Sequence, residues 1–150
     1  MSDIRGLLID NYDSFSYNLV EYLGEAAEQR EIDLEQDIVY NDEIKAEEIL
    51  DEDYDFIVIS PGPGHPENES DVGVKNDVLS EVSPDIPTLG VCLGLEAAVH
   101  VYGGSIGRAP EPVHGKAYEI SHNEKGLFKD IENFSMVQDI ILWSLMKCLK

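Results

Sequence analysis

The chain is poor in basic residues: seven Lys and three Arg stand against 31 Asp and Glu among 150 residues, a formal net charge of −21. A surface of that sign repels phosphate backbones and anionic lipid, which argues against general nucleic-acid binding and membrane-surface binding. Cysteine is scarcer still. Cys92 and Cys148 lie too far apart in sequence for a disulfide scaffold or a CxxC metal motif, so chemistry at sulfur rests on one thiol and no metal site is visible. Apolar runs are short, each broken by a charge or a glycine well before the ~20 residues of a membrane span. The opening Met1-Ser2-Asp3-Ile4-Arg5-Gly6 lacks the basic-then-apolar layout of a secretion signal. A soluble, cytoplasmic protein is expected.

What is present suffices for one modest core, since 43% of the residues are hydrophobic. The carboxylates are spread through Glu25 to Glu35, Asp42 to Asp55 and Glu67 to Asp77 rather than gathered in a tail. That pattern is either a solvated shell that keeps the protein dispersed or an adaptation to high intracellular salt, where ions screen self-repulsion. The scarcity of Lys and Arg favours the second.

Apolar runs alternate with helix-like stretches, the βαβ pattern of a mostly parallel open sheet with helices on both faces. Ile4 to Ile9 reads as a first strand, with Ser14 as cap of a helix through Asn18, Leu19, Tyr22 and Leu23. Asp37 to Tyr40 reads as a short second strand. Asp55 to Ser60 is a buried-type strand, β-branched at its centre and stopped by Pro61-Gly62-Pro63-Gly64. A helix is expected over Val72 to Val82, a strand over Pro87 to Val91, and a helix over Leu93 to Tyr102 ended by Gly103-Gly104. Short strands and turns are expected from Ser105 to His122.

Two features carry chemistry. Gly90-Val91-Cys92-Leu93-Gly94 sets a cysteine between glycines where a buried strand meets a helix, the pattern of a nucleophile elbow. Such a turn strains the backbone at the nucleophile and stands its thiol at a helix N-terminus, where unpaired N–H groups favour thiolate. The Leu93 amide is then placed to donate to an oxyanion. An isolated cysteine is more often a small buried hydrophobe, but strand, glycines and helix together favour the nucleophile. Ser60-Pro61-Gly62-Pro63-Gly64-His65-Pro66 follows another strand, at the sheet edge where α/β folds bind ligands. Its Gly62 amide is a candidate second oxyanion donor. A flavodoxin-like redox role would need a phosphate-cradling loop after the first strand, and Asn11-Tyr12-Asp13-Ser14 is acidic and without glycine.

Four segments occur in one order: Leu8-Ile9-Asp10-Asn11-Tyr12-Asp13-Ser14-Phe15-Ser16-Tyr17-Asn18-Leu19, the loop from Ser60 to Pro66, the elbow from Gly90 to Gly94, and Arg108-Ala109-Pro110 with His114-Gly115-Lys116. Together they resemble the class I glutamine amidotransferases, nearest the glutaminase subunits of anthranilate and p-aminobenzoate synthases. The resemblance runs from Ile4 to about Phe134. It implies that Cys92 attacks the side-chain amide of L-glutamine, with Gly62 and Leu93 as oxyanion hole and Gly62, Pro63, Gly64 and Glu96 holding glutamine. It also implies no cofactor in this chain, and ammonia passed to a chorismate-binding synthase subunit that itself needs magnesium.

The chain departs from the family in two places. Glu96 stands where the family usually has Gln, a change that adds a charge but can still accept from the substrate's amino group. The family's His-Pro-Glu motif, whose histidine is the base, does not occur; His65, His100, His114 and His122 all lie upstream of its place. Residues 136–150, rich in Ile, Leu and Met, resemble nothing in the family, so residues 1–135 are expected to form a partial amidotransferase domain followed by an aberrant apolar tail. Back-translated two bases later, the tail admits Arg-Tyr-His-Ser-Leu-Val, a family-like run, which suggests a frameshift. Without a positioned base the thiolate chemistry loses ~10²–10⁴-fold in rate, and the alternative expectation is an inactive module that docks on the synthase partner.

Two measurements follow. Melts at low and molar KCl should show stability rising with salt if the acidity is an adaptation, and no rise would remove that reading. The genomic DNA should carry an open frame encoding His-Pro-Glu shortly downstream.

Overall fold

The computed structural model describes residues 3–113, 116–139 and 142–147, so His114-Gly115, within the stretch expected to hold short strands and turns, lies outside them, as does Cys148. Two compact units are present, Met1–Ser105 with Lys147–Lys150, and Ile106–Met146.

The first unit is built on four parallel strands: β1 (Asp3–Asp10), β2 (Asp33–Tyr40), β3 (Phe56–Ile59) and β4 (Thr88–Gly90), in the order β2-β1-β3-β4. After β1 the chain crosses to β2 on one side and then returns to β3 on the other. The carboxyl ends of β1 and β3 therefore flank the point where strand order reverses, the place such sheets bind ligands. Side-chain alternation divides the core between two faces. Leu7, Ile9, Ile57 and Ile59 pack with Ile49, Val78 and Val82 on one face, whereas Leu8 and Val58, each 2% exposed, point to the other.

Helix α1 (Ser16–Glu28) lies against β2, and α2 (Ala46–Leu50) is a short helix absent from the sequence expectation. The N-cap of α1 is Phe15 and makes no side-chain capping bond. The expected cap at Ser14 is not formed; ahead of the helix, the Asp13 carboxylate accepts from the Phe15 amide at 2.7 Å. The predicted helix over Val72 to Val82 is broken into α3 (Glu69–Val72), α4 (Lys75–Asp77) and a π-helical turn over Val78–Val82. Gly73 causes the break: it sits at φ 50, and a Cβ there would lie 2.6 Å from the Asn41 carbonyl oxygen. Helix α5 (Leu93–Val101) follows β4 and stops at Gly103, φ 80. No helix among the described residues is long and apolar enough to cross a membrane.

Ionic contacts close the other end of the sheet. Arg5 pairs with Asp37 and Glu52, each at 2.6 Å, and its guanidinium lies 4.6 Å from the centre of the Tyr54 ring. These partners hold the Arg5 proton more firmly than usual, Glu52 first and Asp37 next.

The second unit carries two two-stranded sheets. Strand β5 (Ser105–Val113) lies beside β8 (Leu142–Lys147), and β6 (Lys116–Ile120) pairs antiparallel with β7 (Ser135–Asp139). At nine residues β5 is longer than the short strands expected there. Between β6 and β7, His122 stacks on Phe128 at 5.1 Å and exchanges hydrogen bonds with Asn133.

Lys75 is fully buried, and its Nζ donates to the Asp71 carbonyl oxygen. Burial pushes its pKa down from 10.5 to about 8, against a smaller opposing effect of the Asp71 charge. Above about pH 8 the folded protein has released this proton while the unfolded chain still holds it up to about 10.5, so stability rises with pH in that window. Urea melts should gain on the order of 2 kcal/mol between about pH 8 and pH 10, a gain missing in Lys75→Met. Equal slopes in the two proteins would contradict this account of Lys75.

Candidate active site

Strand β4 ends at Gly90, and Cys92 follows at φ 52, ψ −108, outside the regions where L-residues sit comfortably. Both neighbouring glycines are sterically required. A Cβ on Gly90 would stand 2.5 Å from the Gly94 carbonyl, and one on Gly94 would stand 2.5 Å from the Ile59 carbonyl oxygen. The Val91 amide donates to Ile59 O at 3.0 Å, and the Gly94 amide to Val91 O at 3.0 Å, so strand end, turn and first helical turn lock together against β3. The Cys92 side chain is exposed at the N-terminus of α5, while Leu93 behind it is 1% exposed. Leu93 is the first residue of α5, among the amides that a helix leaves without an intrahelical acceptor. Glu96 is half-buried one turn further on, the spacing that shares a helix face with Cys92.

The Pro-Gly loop leaves β3 beside this elbow, because Ile59 is paired with Gly90. Gly62 rests on Asn11: a Cβ on it would stand 2.4 Å from the Asn11 Cβ. Pro63 and Gly64 are exposed, and Gly64 takes φ 102. Sequence reasoning left unassigned the buried polar network beneath. The Asn11 amide donates to Ser60 Oγ at 2.8 Å, Asn11 Nδ2 donates to the Ser60 carbonyl at 2.7 Å, and Asn41 Nδ2 donates to Asn11 Oδ1 at 2.8 Å. The buried Asp10 carboxylate accepts from Ser16 Oγ at 2.6 Å and from the Asp13 amide at 3.1 Å. The visible signal was polar residues directly after strand-like runs, at the ligand-binding edge.

Tyr12, at φ 58, stacks on Tyr40 with ring centres 4.4 Å apart and donates to Asp42 at 2.7 Å. That bond is the main reason its phenol is pushed up to about 12.

Two of the described histidines lie against Glu67. His65 is exposed, and its Nδ1 accepts from the Glu67 amide at 3.3 Å. His100 Nδ1 lies 4.0 Å from Glu67 Oε1. A cavity of about 400 Å³ lined by Asn41, Asp42, Lys45, Gly73, Asp77 and Glu81, among others, includes none of the predicted site residues.

The profile of the family described as "Glutamine amidotransferase class-I" matches residues 7–139. The chain belongs to the class I glutamine amidotransferases. It is 57% identical over 130 residues to "Anthranilate synthase component II" of Haloarcula marismortui, covering 87% of this chain and 59% of that protein. It is also 57% identical over 131 residues to "Anthranilate synthase component 2" of Haloferax volcanii, covering 87% and 63%. The chain thus spans about three fifths of the length of these curated relatives. Among solved structures, a glutamine amidotransferase from Thermotoga maritima superposes with TM-score 0.69 at 17% identity, over 97% of this chain and 63% of that one. That likeness supports an amidotransferase fold of parallel strands and helices, as the sequence led one to expect.

The elbow glycines of this amidotransferase give a stability test. Gly94→Ala forces a methyl group into the Ile59 carbonyl, and urea melts should show a loss of about 2–4 kcal/mol or failure to fold. A loss below about 0.5 kcal/mol, the range of neutral substitutions, would mean that the elbow is looser than its geometry.

Proposed function

We propose that the chain is the glutaminase part of an anthranilate synthase, releasing ammonia from L-glutamine for a chorismate-binding synthase subunit. The reading is supported by an exposed cysteine held at φ 52 where a strand turns into a helix, beside a glycine-rich loop. The names of the haloarchaeal relatives supply the pathway.

The proposed chemistry follows from charge. The positive end of the α5 dipole at sulfur suits a thiolate nucleophile. Attack on the glutamine side-chain carbonyl forms a C–S bond and moves the carbonyl electrons onto oxygen, where the Leu93 and Gly62 amides stabilise the oxyanion. Collapse breaks the C–N bond; the leaving nitrogen takes a proton from solvent water, which is left as hydroxide, and departs as ammonia, leaving a thioester. Water then hydrolyses the thioester to glutamate. Glu96 accepts from the substrate's amino group, and Gly62, Pro63 and Gly64 border the side-chain amide. A second reading, an inactive docking module, keeps the partner and loses the turnover.

Covalent labelling tests the nucleophile without requiring turnover. 6-Diazo-5-oxo-L-norleucine should modify Cys92 saturably, with L-glutamine protecting and Cys92→Ser unlabelled, read by mass spectrometry of the peptide. Labelling that is unsaturable or indifferent to glutamine would defeat the reading.

A further inference from the structure

Hydrogen bonds tie the Pro-Gly loop to the helical segment that follows it. Asp71, in α3, contributes one carboxylate oxygen, Oδ2, which accepts from the His65 amide at 3.1 Å and from Asn68 Nδ2 at 2.9 Å. Main-chain bonds close the same segment, with the Asn68 amide donating to His65 O at 3.0 Å and the Asp71 amide to Asn68 O at 2.9 Å. Gly64, at φ 102, presses against this carboxylate so closely that a Cβ on it would stand 2.6 Å from Asp71 Oδ2. Beneath, the buried Lys75 donates to the Asp71 carbonyl oxygen and anchors that turn in the core. The loop is therefore gripped from two sides, at Gly62 by Asn11 and at Gly64-His65 by Asp71.

We propose that Asp71 is a positioning residue for glutamine binding: its carboxylate fixes the Gly64-His65 peptide, and through it the Pro63-Gly64 rim of the site. A carboxylate suits this task because its bonds to neutral N–H donors are charge-assisted and stronger than neutral ones. A positive-φ glycine has no side chain of its own to hold it, so restraint has to come from a partner outside the loop. The inference rests on Cys92 acting as a glutamine-directed nucleophile.

The test compares two electrophiles on the full 150-residue chain. 6-Diazo-5-oxo-L-norleucine needs the glutamine-binding rim, whereas iodoacetamide needs only the thiol. Asp71→Ala should raise the half-saturating concentration for the first about tenfold, with the iodoacetamide rate within twofold of wild type. Asp71→Asn, whose side-chain oxygen still accepts from the His65 amide, should restore most of the loss. Asp71→Ser is too short to reach that amide; it is expected to behave like Asp71→Ala and guards against failure of the alanine variant to fold. Wild-type saturation in Asp71→Ala or Asp71→Ser, or an equal loss with both reagents, would overturn the role of Asp71. Absence of glutamine-protected labelling in the wild-type chain would instead overturn the glutaminase reading, and this inference with it.

Discussion

A cysteine with positive φ is the constraint around which the first unit is arranged. Such a conformation persists where the surroundings over-determine it, and here they do so with backbone. Gly90 and Gly94 have no room for a methyl group, the Val91 amide is held by β3, and Cys92 itself opens α5. The bend cannot relax without separating β4 from β3 or lifting α5 off the sheet. What this strain gains is exposure: the sulfur stands outside the core while Leu93, one residue on, is buried in it.

The neighbouring loop is held in a different manner. Its supports are the polar side chains of Asn11 and Ser60, taken out of water at the strand ends, while the buried Asp10 holds the segment after β1 through Ser16 and the Asp13 amide. Buried polar groups of this kind stabilise only when their bonds are made, and leaving one unpaired costs about 1–3 kcal/mol. The network is accordingly directional, fixing the chain after β1 and after β3 in one arrangement. The acidic surface works on a broader scale. It leaves few cations, and Arg5 is spent on a structural cluster at the opposite edge, shared by Asp37, Glu52 and Tyr54.

Much of this was legible in the residue order. The β-branched run at Ile57-Val58-Ile59 and the glycines around Cys92 identify a strand and an elbow because each depends on local sterics. Local signals misled where a distant contact decided. Gly73 breaks the expected helix because it packs on Asn41, more than thirty residues earlier, and β2 begins at Asp33 because register with β1 runs its whole length. The bonds joining Asn11, Ser60 and Asn41 span 30 to 49 positions, so no spacing rule announces them. Asp71 escaped for another reason: its bonds to the His65 amide and to Asn68 span only six and three positions, but it is one acid among many in an acidic stretch.

The proposal on which the account stands is that an oxyanion formed at the Cys92 sulfur is met by two amides, those of Leu93 and Gly62. The most direct test is a crystal structure of the chain after reaction with 6-diazo-5-oxo-L-norleucine. The account predicts a covalent adduct on Cys92 with its carbonyl oxygen about 3 Å from both nitrogens and Cys92 still at positive φ. An adduct oxygen turned to solvent, or a Cys92 relaxed to negative φ with the loop swung away, would contradict it.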